Sequence, residues 1–265
     1  MLWAVESLLG SASLTLVPQE APQAAFAGAV QTVEVRFCNS TPSNLEVPLR
    51  YRVFQASSAT ALPLDEPHRW KTLPVLAGQT VLDSLTVTFP AVRAETRFLL
   101  QWFDERGHAL GTTEVIAVSP DLLRELNTLA GNPPPGVLDP QEQLKPLLRR
   151  AGVEFEDLDL EGLERYRGRL AIVCSARAVE DDSPALGRRL KHCREIGVNL
   201  LWFRDADPAS SQPAPVCMVR PGAGTLVVAP RQALSDLAES ATRQRTLISL
   251  ARLAVKPESS ALFQP

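Results

Sequence analysis

The period of the hydrophobic pattern changes once along this chain, near Ser119. Before that position, apolar residues alternate with polar ones, as they do over Val33 to Phe37 and Phe98 to Trp102. An alternation with period two is typical of a strand that has one buried and one solvated face. After that position, apolar residues recur at helical spacing from Leu122 to Leu129, and Gly131 provides a stop signal. The chain is therefore expected to form two cores of different kinds.

The first part of the chain, residues 1–118, has the pattern of an all-β domain. The alternation recurs over Leu49 to Val53 and over Leu85 to Phe89, and turn-forming residues such as Asp104 to Gly107 separate the segments. With shorter apolar segments they make about seven strands, which is the number expected of an immunoglobulin-like sandwich. We therefore predict an all-β immunoglobulin-like sandwich here.

The second part, residues 119–265, alternates between strand and helix patterns. Apolar runs at Arg169 to Cys174 and Val198 to Phe203 flank a helix predicted from about Pro184 to Ile196, and a hairpin is predicted over residues 216–229. Runs that are apolar on both faces are typical of buried parallel strands. The pattern predicts an α/β three-layer domain with a mainly parallel sheet.

Charge and hydropathy exclude two classes of partner. The chain has 27 Lys and Arg against 30 Asp and Glu, a net charge of -3, so binding to nucleic acid is not expected. No apolar run approaches the roughly 18 residues of a membrane-spanning helix, so membrane insertion is not expected. The opening Met1 to Gly10 contains Glu6 and lacks a basic region, so it is not interpreted as a signal peptide. The pattern leaves the disulfide state of four cysteines open: Cys38, Cys174, Cys193 and Cys217.

Candidate site residues follow the two apolar strands, where sheets of this kind bind ligands. Cys174 ends the first strand and is a candidate nucleophile, but the segment Ile172 to Arg177 has no glycine to permit a nucleophile elbow. We therefore expect a structural thiol. The predicted binding residues are Ser175, Arg177, Arg204 and Asp205. The competing interpretation is an ordinary salt-bridged rim without a ligand.

Neither a metal nor a cofactor is expected. The chain has no CxxC, no HxH and no pair of histidines four residues apart. The acidic run from Glu154 to Glu161 lacks the ladder of a calcium loop and is predicted to be a solvated strand edge. The glycines of Pro221 to Thr225 precede a strand instead of opening a helix, which favours a hairpin turn.

Two sets of motifs resemble known families. The segments V-x-V-x-F-x-N at Val33 to Asn39, L-x-Y-x-V at Leu49 to Val53 and L-A-G-Q-T at Leu76 to Thr80 resemble bacterial immunoglobulin-like adhesion or spacer domains. Gly168 to Val173 and Gly197 to Phe203 resemble the class I glutamine amidotransferase-like fold, which has a flavodoxin-like sheet.

The second resemblance implies a function without catalysis. Active members of that fold carry their cysteine in a G-x-C-x-G elbow with a downstream His and Glu, whereas Cys174 has no elbow and no histidine follows His192. Members without the triad occur beside sandwich domains in bacterial envelope and polysaccharide-related proteins. The resemblance therefore implies a binding or assembly role and a periplasmic or extracellular location.

Three hypotheses follow. The leading one is a non-catalytic bacterial binding or assembly module, with the sandwich as spacer or partner surface and the α/β domain as recognition platform for a protein or carbohydrate. The alternative is a hydrolase or transferase, directed at a carbohydrate or an amide, that acts in the crevice near Cys174 with a Glu or Asp as base. The third is a fragment of a larger envelope enzyme. The ligand and the oligomeric state stay open.

Overall fold

A computed structural model of the chain describes residues 14–175, 183–205, 217–219 and 223–256. The chain divides into two compact units, residues 1–119 and 120–265. The opening segment and the predicted site residue Arg177 lie outside the described ranges. Within those ranges, no helix combines the length and the apolar character needed to cross a membrane.

The first unit contains nine described strands in two sheets. Their bounds are β1 (Leu14–Leu16), β2 (Gln23–Phe26), β3 (Val30–Asn39), β4 (Leu45–Ala56), β5 (Ala61–Pro63), β6 (His68–Val75), β7 (Thr80–Thr88), β8 (Thr96–Phe103) and β9 (Ala109–Val118). One sheet has the order β1-β3-β7, and the other has the order β2-β9-β8-β4, with β6 and β5 on the outer edge of β4. The two short strands β2 and β5 are additional to the seven that the pattern predicts.

Strand alternation explains the core of this unit. Val35 and Phe37 of β3 point inward and are buried, while Arg36 between them is exposed. Phe37 packs edge-on against the fully buried Trp102, with ring centroids 5.4 Å apart. Trp102 donates its indole N–H to Thr113 Oγ1 at 3.0 Å, which satisfies the one polar atom of the ring.

The second unit is built on a sheet with the order β11-β10-β12-β13-β15-β14. The strands are β10 (Gly136–Leu138), β11 (Glu156–Asp157), β12 (Leu170–Cys174), β13 (Asn199–Arg204), β14 (Cys217–Val219) and β15 (Leu226–Pro230). The first five in the sheet order are parallel, and β14 pairs antiparallel with β15 as the predicted hairpin. The mainly parallel sheet that the sequence predicts is confirmed.

Helices cover both faces of this sheet. They are α1 (Glu125–Ala130), α2 (Lys145–Arg150), α3 (Leu160–Arg165), α4 (Ser183–Glu195) and α5 (Ala241–Val255). Leu170, Ile172 and Phe203 pack against α1, α2 and α5 on one face, while Val173 and Leu200 pack against α3 and α4 on the other. Because both of its faces are covered, β12 is buried at all five positions.

One local feature of this unit matters for the site. The helix α2 begins at Lys145, and residues 140–144 before it form a turn in which Glu142 has φ 52. Asp139, directly after β10, holds this turn by accepting two backbone hydrogen bonds from it. The turn therefore lies at the end of a parallel strand.

Candidate functional site

The parallel strands of the second unit end at one edge of the sheet, which we call the carboxyl edge. Asp139 follows β10, Ser175 follows β12, Asp205 follows β13 and Arg231 follows β15. Arg231 connects two of them, because its Nη1 donates to the Ser175 carbonyl at 3.5 Å and lies 3.7 Å from Asp205 Oδ2. The sheet thus brings together side chains that lie far apart in sequence.

Of the four predicted binding residues, the structure places three at this edge. Ser175 is buried, donates its N–H to the Phe203 carbonyl at 3.1 Å and accepts the indole N–H of Trp202 at 2.9 Å. Asp205 is connected to Ser175 through Arg231. The Arg204 guanidinium lies over the Trp202 ring, 5.8 Å from its centroid. The fourth residue, Arg177, lies outside the described residues.

Arg231 connects segments that follow different strands at the carboxyl edge. Its Nε donates to Gln143 Oε1 at 3.1 Å, and its Nη2 contacts Gln141 Oε1, so the turn after Asp139 is tied to the end of β15. The side chain is only 12% exposed. A guanidinium with several fixed partners has few donors left for a ligand. We therefore assign Arg231 a positioning role.

Asp139 has no accessible surface. Its Oδ2 accepts the N–H of Leu144 at 2.6 Å and the N–H of Lys145 at 3.2 Å. Its Oδ1 is buried and has no hydrogen-bond partner in the part of the chain that the structure describes. A buried carboxylate needs such backbone donors, because desolvation strongly disfavours its charge.

Cys174 is 2% exposed. Burial raises the pKa of its thiol, and the nearby charge of Asp139 raises it further, while Arg231 and Lys145 lower it only in part. The reactive form of a cysteine is the thiolate, which a raised pKa disfavours at neutral pH. The expectation of a structural thiol agrees with this environment.

An open groove of about 740 Å³ lies beside Asp139, at the ends of β10 and β11. Its lining residues include five acidic side chains, of which Asp139 is fully buried, and one lysine: Asp139, Glu142, Asp157, Asp159, Glu161 and Lys145. We call it the acidic groove. Asp159 also caps α3, since its Oδ1 accepts the Gly162 N–H at 2.5 Å.

Lys145 is the internal cation of the acidic groove. Its side chain is 7% exposed, and its Nζ lies 2.6 Å from Asp157 Oδ1 and 3.2 Å from Glu142 Oε1. Burial by itself would lower the pKa of Lys145, but the hydrogen bonds to Asp157 and Glu142 outweigh burial and raise it. The ammonium therefore stays charged and holds two of the carboxylates in place.

Sequence reasoning missed Asp139, Lys145 and Arg231. The short strand β10 stands next to the proline-rich segment, so the pattern did not show that Asp139 follows a strand. The acidic run predicted to be a solvated edge does contribute Asp157 to the groove, together with Asp159 and Glu161. Within the described ranges, no group of three or more His, Cys, Asp or Glu side chains could hold a metal ion.

No protein-family model matches the chain, and no curated protein matches it. Partial likeness is found to an alkylpurine DNA glycosylase AlkC of Pseudomonas fluorescens bound to DNA, with TM-score 0.31, 11% identity, 40% of this chain and 31% of that chain covered. A β-glucosidase from Listeria innocua gives TM-score 0.29, 13% identity, and 39% and 16% coverage. A Niemann-Pick type C2 protein from Japanese carpenter ant gives TM-score 0.28 and 11% identity, with 40% of this chain and 89% of that chain covered.

The chain spans less than a third of the first two of these proteins. TM-scores of this size carry no argument about fold or function.

Proposed function

We propose that the chain is a non-catalytic binding or assembly module. In this proposal the first unit is a spacer or partner surface, and the second unit recognises its ligand at the carboxyl edge. The observation that carries the proposal is the contrast at that edge between a buried, interlocked set of polar groups and the open acidic groove beside it. Rigid support next to an open concave surface suits recognition.

We also propose finer fold assignments for the two units. The antiparallel three-stranded sheet, the six-stranded second sheet and the parallel pairing of β2 with β9 support an immunoglobulin-like sandwich. If the five parallel strands of the second unit are numbered in chain order, their order across the sheet is 2-1-3-4-5. That order supports a flavodoxin-like domain, in which the switch point lies between β10 and β12.

The alternative of a hydrolase or transferase near Cys174 requires a thiolate that substrate can reach. Cys174 is buried, and the pKa of its thiol is raised. These two observations favour the binding proposal over the enzyme. They leave the thiol as part of the apolar packing between β12 and the helices.

The chemistry of the acidic groove favours a cationic partner. Four carboxylates with accessible surface and one ammonium line it, although Glu142 and Asp157 also pair with Arg149, and Glu161 pairs with Arg165. Complementary charge lowers the free energy of binding and raises the association rate. We therefore propose that the partner presents ammonium or guanidinium groups, as a basic peptide segment does.

A hexa-arginine peptide is a direct probe of this proposal, with hexa-glutamate as the opposite-charge control. The test variant is D159N/E161Q, because asparagine still caps a helix while both substitutions remove a negative charge. We expect calorimetry to show about a fivefold rise in Kd for hexa-arginine, since each exposed charge contact contributes roughly 0.5 kcal/mol. The matched control E239Q removes an exposed charge of the same unit outside the groove. Equal binding by both variants would refute the proposal.

A further inference from the structure

Two arginines stand directly opposite each other on the first unit. In the register of β4 with β6, Arg50 is the partner of Arg69. The preceding pair in this register is Pro48 with Thr72. The two pairs are two residues apart on β4 but three residues apart on β6, so β6 carries a bulge at this point. Bulges re-aim side chains and are enriched beside functional sites.

Neither guanidinium is neutralised by a residue that the structure describes. Among the described residues, neither Arg50 nor Arg69 makes an ion pair or a side-chain hydrogen bond. Their basic neighbours do have partners: Lys71 pairs with Asp83, and Arg52 donates to the Asp65 carbonyl at 2.6 Å. Like charges directly opposite each other destabilise a strand pair. The pair is therefore a place where an anion would relieve repulsion.

The two arginines line a groove of about 400 Å³. We call it the arginine groove, and its lining is Pro48, Leu49, Arg50, Arg69, Trp70, Lys71, Thr72 and Glu105. Three basic residues, of which Lys71 is paired with Asp83, and one acidic residue line this space. Four of the eight Lys and Arg residues of residues 1–118 lie on these two strands, so positive charge is concentrated at one place of an otherwise acidic segment.

We propose that the arginine groove binds a tetrahedral oxyanion, a phosphate or sulfate group. Each guanidinium offers a planar fork of N–H donors, which matches two oxygens of such a group. Two opposed forks need more oxygens than one carboxylate has, whereas a tetrahedral oxyanion offers one pair of oxygens to each fork. The site belongs to the first unit and does not depend on the proposed function of the second.

The test measures binding of inorganic phosphate and inorganic sulfate by calorimetry, at constant ionic strength set with sodium chloride. Constant ionic strength matters because simple screening also relieves the repulsion between two arginines. We expect saturable binding to the full chain, and a rise in Kd of about tenfold in R50Q and in R69Q. The control R93Q removes an exposed arginine of the same unit and should leave the Kd unchanged.

A conservative variant distinguishes bidentate binding by a guanidinium from simple attraction to a positive charge. R69K keeps the positive charge but offers no bidentate donor pair, so we expect a rise in Kd smaller than that of R69Q. If R69K binds phosphate as tightly as the unsubstituted chain, the bidentate site is refuted. Far-ultraviolet circular dichroism verifies that each variant is folded, and removing one of two repelling charges is expected to leave the melting temperature unchanged or raised.

The source of the oxyanion is resolved by two further ligands, glucose 6-phosphate and glucose. Tighter binding of glucose 6-phosphate than of inorganic phosphate, with none for glucose, supports the site and assigns the oxyanion to a larger ester. Equal binding of both phosphates supports a site for the free ion. No binding of any oxyanion beyond the effect of chloride, or equal binding by R50Q, R69Q and R93Q, would overturn the proposal.

Discussion

The two units place their charged side chains by different rules. In the first unit, charges stand on the outer faces of strands, so register decides which of them meet, and it sets Arg50 against Arg69. In the second unit, both faces of β12 are covered, so charges occupy the strand ends, where Arg231 reaches Ser175. A half-exposed sheet therefore places charged groups on its face, whereas a sheet covered on both sides places them at its edge.

The largest effect on the free energy of unfolding is expected from substitutions in the hydrophobic cores. In the first unit, W102A removes a fully buried ring that packs on Phe37 and Trp70. We expect a loss of about 4 kcal/mol in the free energy of unfolding, measured in urea. The control L82A truncates an exposed side chain on β7 and should cost less than about 0.5 kcal/mol. Similar costs for both variants would contradict the inward and outward assignment of the strands.

In the second unit, the buried Tyr166 provides a test by pH. Burial raises the pKa of Tyr166 from the ordinary tyrosine value of about 10 to about 12. The folded state therefore keeps the phenol proton longer than the unfolded state. Its contribution is fully present below pH 10 and is lost as pH rises towards 12, by about 3 kcal/mol in total.

The measurement is urea unfolding from pH 9 to 11.5 for the unsubstituted chain and for Y166F. Tyr166 Oη accepts the Gly136 N–H at 3.0 Å and donates to the Pro134 carbonyl at 2.7 Å, so Y166F is less stable at neutral pH. It lacks the titrating phenol, and its stability should fall less steeply above pH 10. Parallel pH profiles would show that Tyr166 ionises without cost to the fold.

A smaller effect is expected at the carboxyl edge. D139A removes the acceptor of the Leu144 and Lys145 N–H groups, which leaves two buried donors unsatisfied. We expect a loss of about 2 kcal/mol. D139N keeps an acceptor oxygen and should lose less than half of that amount. If D139A unfolds at the same urea concentration as the unsubstituted chain, Asp139 does not hold the turn after β10.

Sequence patterning predicted the parallel sheet well and its edge poorly. Apolar runs such as Leu170 to Cys174 carry a strong local signal, because every position is buried. The three-residue strand β10 carries almost none, so the position of Asp139 could not be predicted. Arg231 and Gln143 meet across 88 positions, and no local pattern reports a contact of that separation. Ser175 and Asp205 were predicted as site residues from topology, but the arginine that joins them was not.

Register explains what was missed in the first unit. The alternation predicts that Arg50 and Arg69 point outward, but not that they oppose each other. Their pairing depends on the bulge in β6, where one residue more or less would bring another side chain opposite Arg50. Pairing between strands therefore has to be observed before a groove such as this one can be inferred.

We propose that the carboxyl edge is a fixed support for binding and not a reactive centre. The most direct test is iodoacetamide labelling of the native chain at neutral pH, followed by peptide mass spectrometry. Cys38 is free and half-buried, so it provides an internal reference for the buried Cys174. We expect Cys174 to react at least about a hundredfold more slowly than Cys38, because its thiol is exposed only by transient opening. Labelling of Cys174 as fast as that of Cys38 would contradict the proposed role of this edge and favour the enzyme.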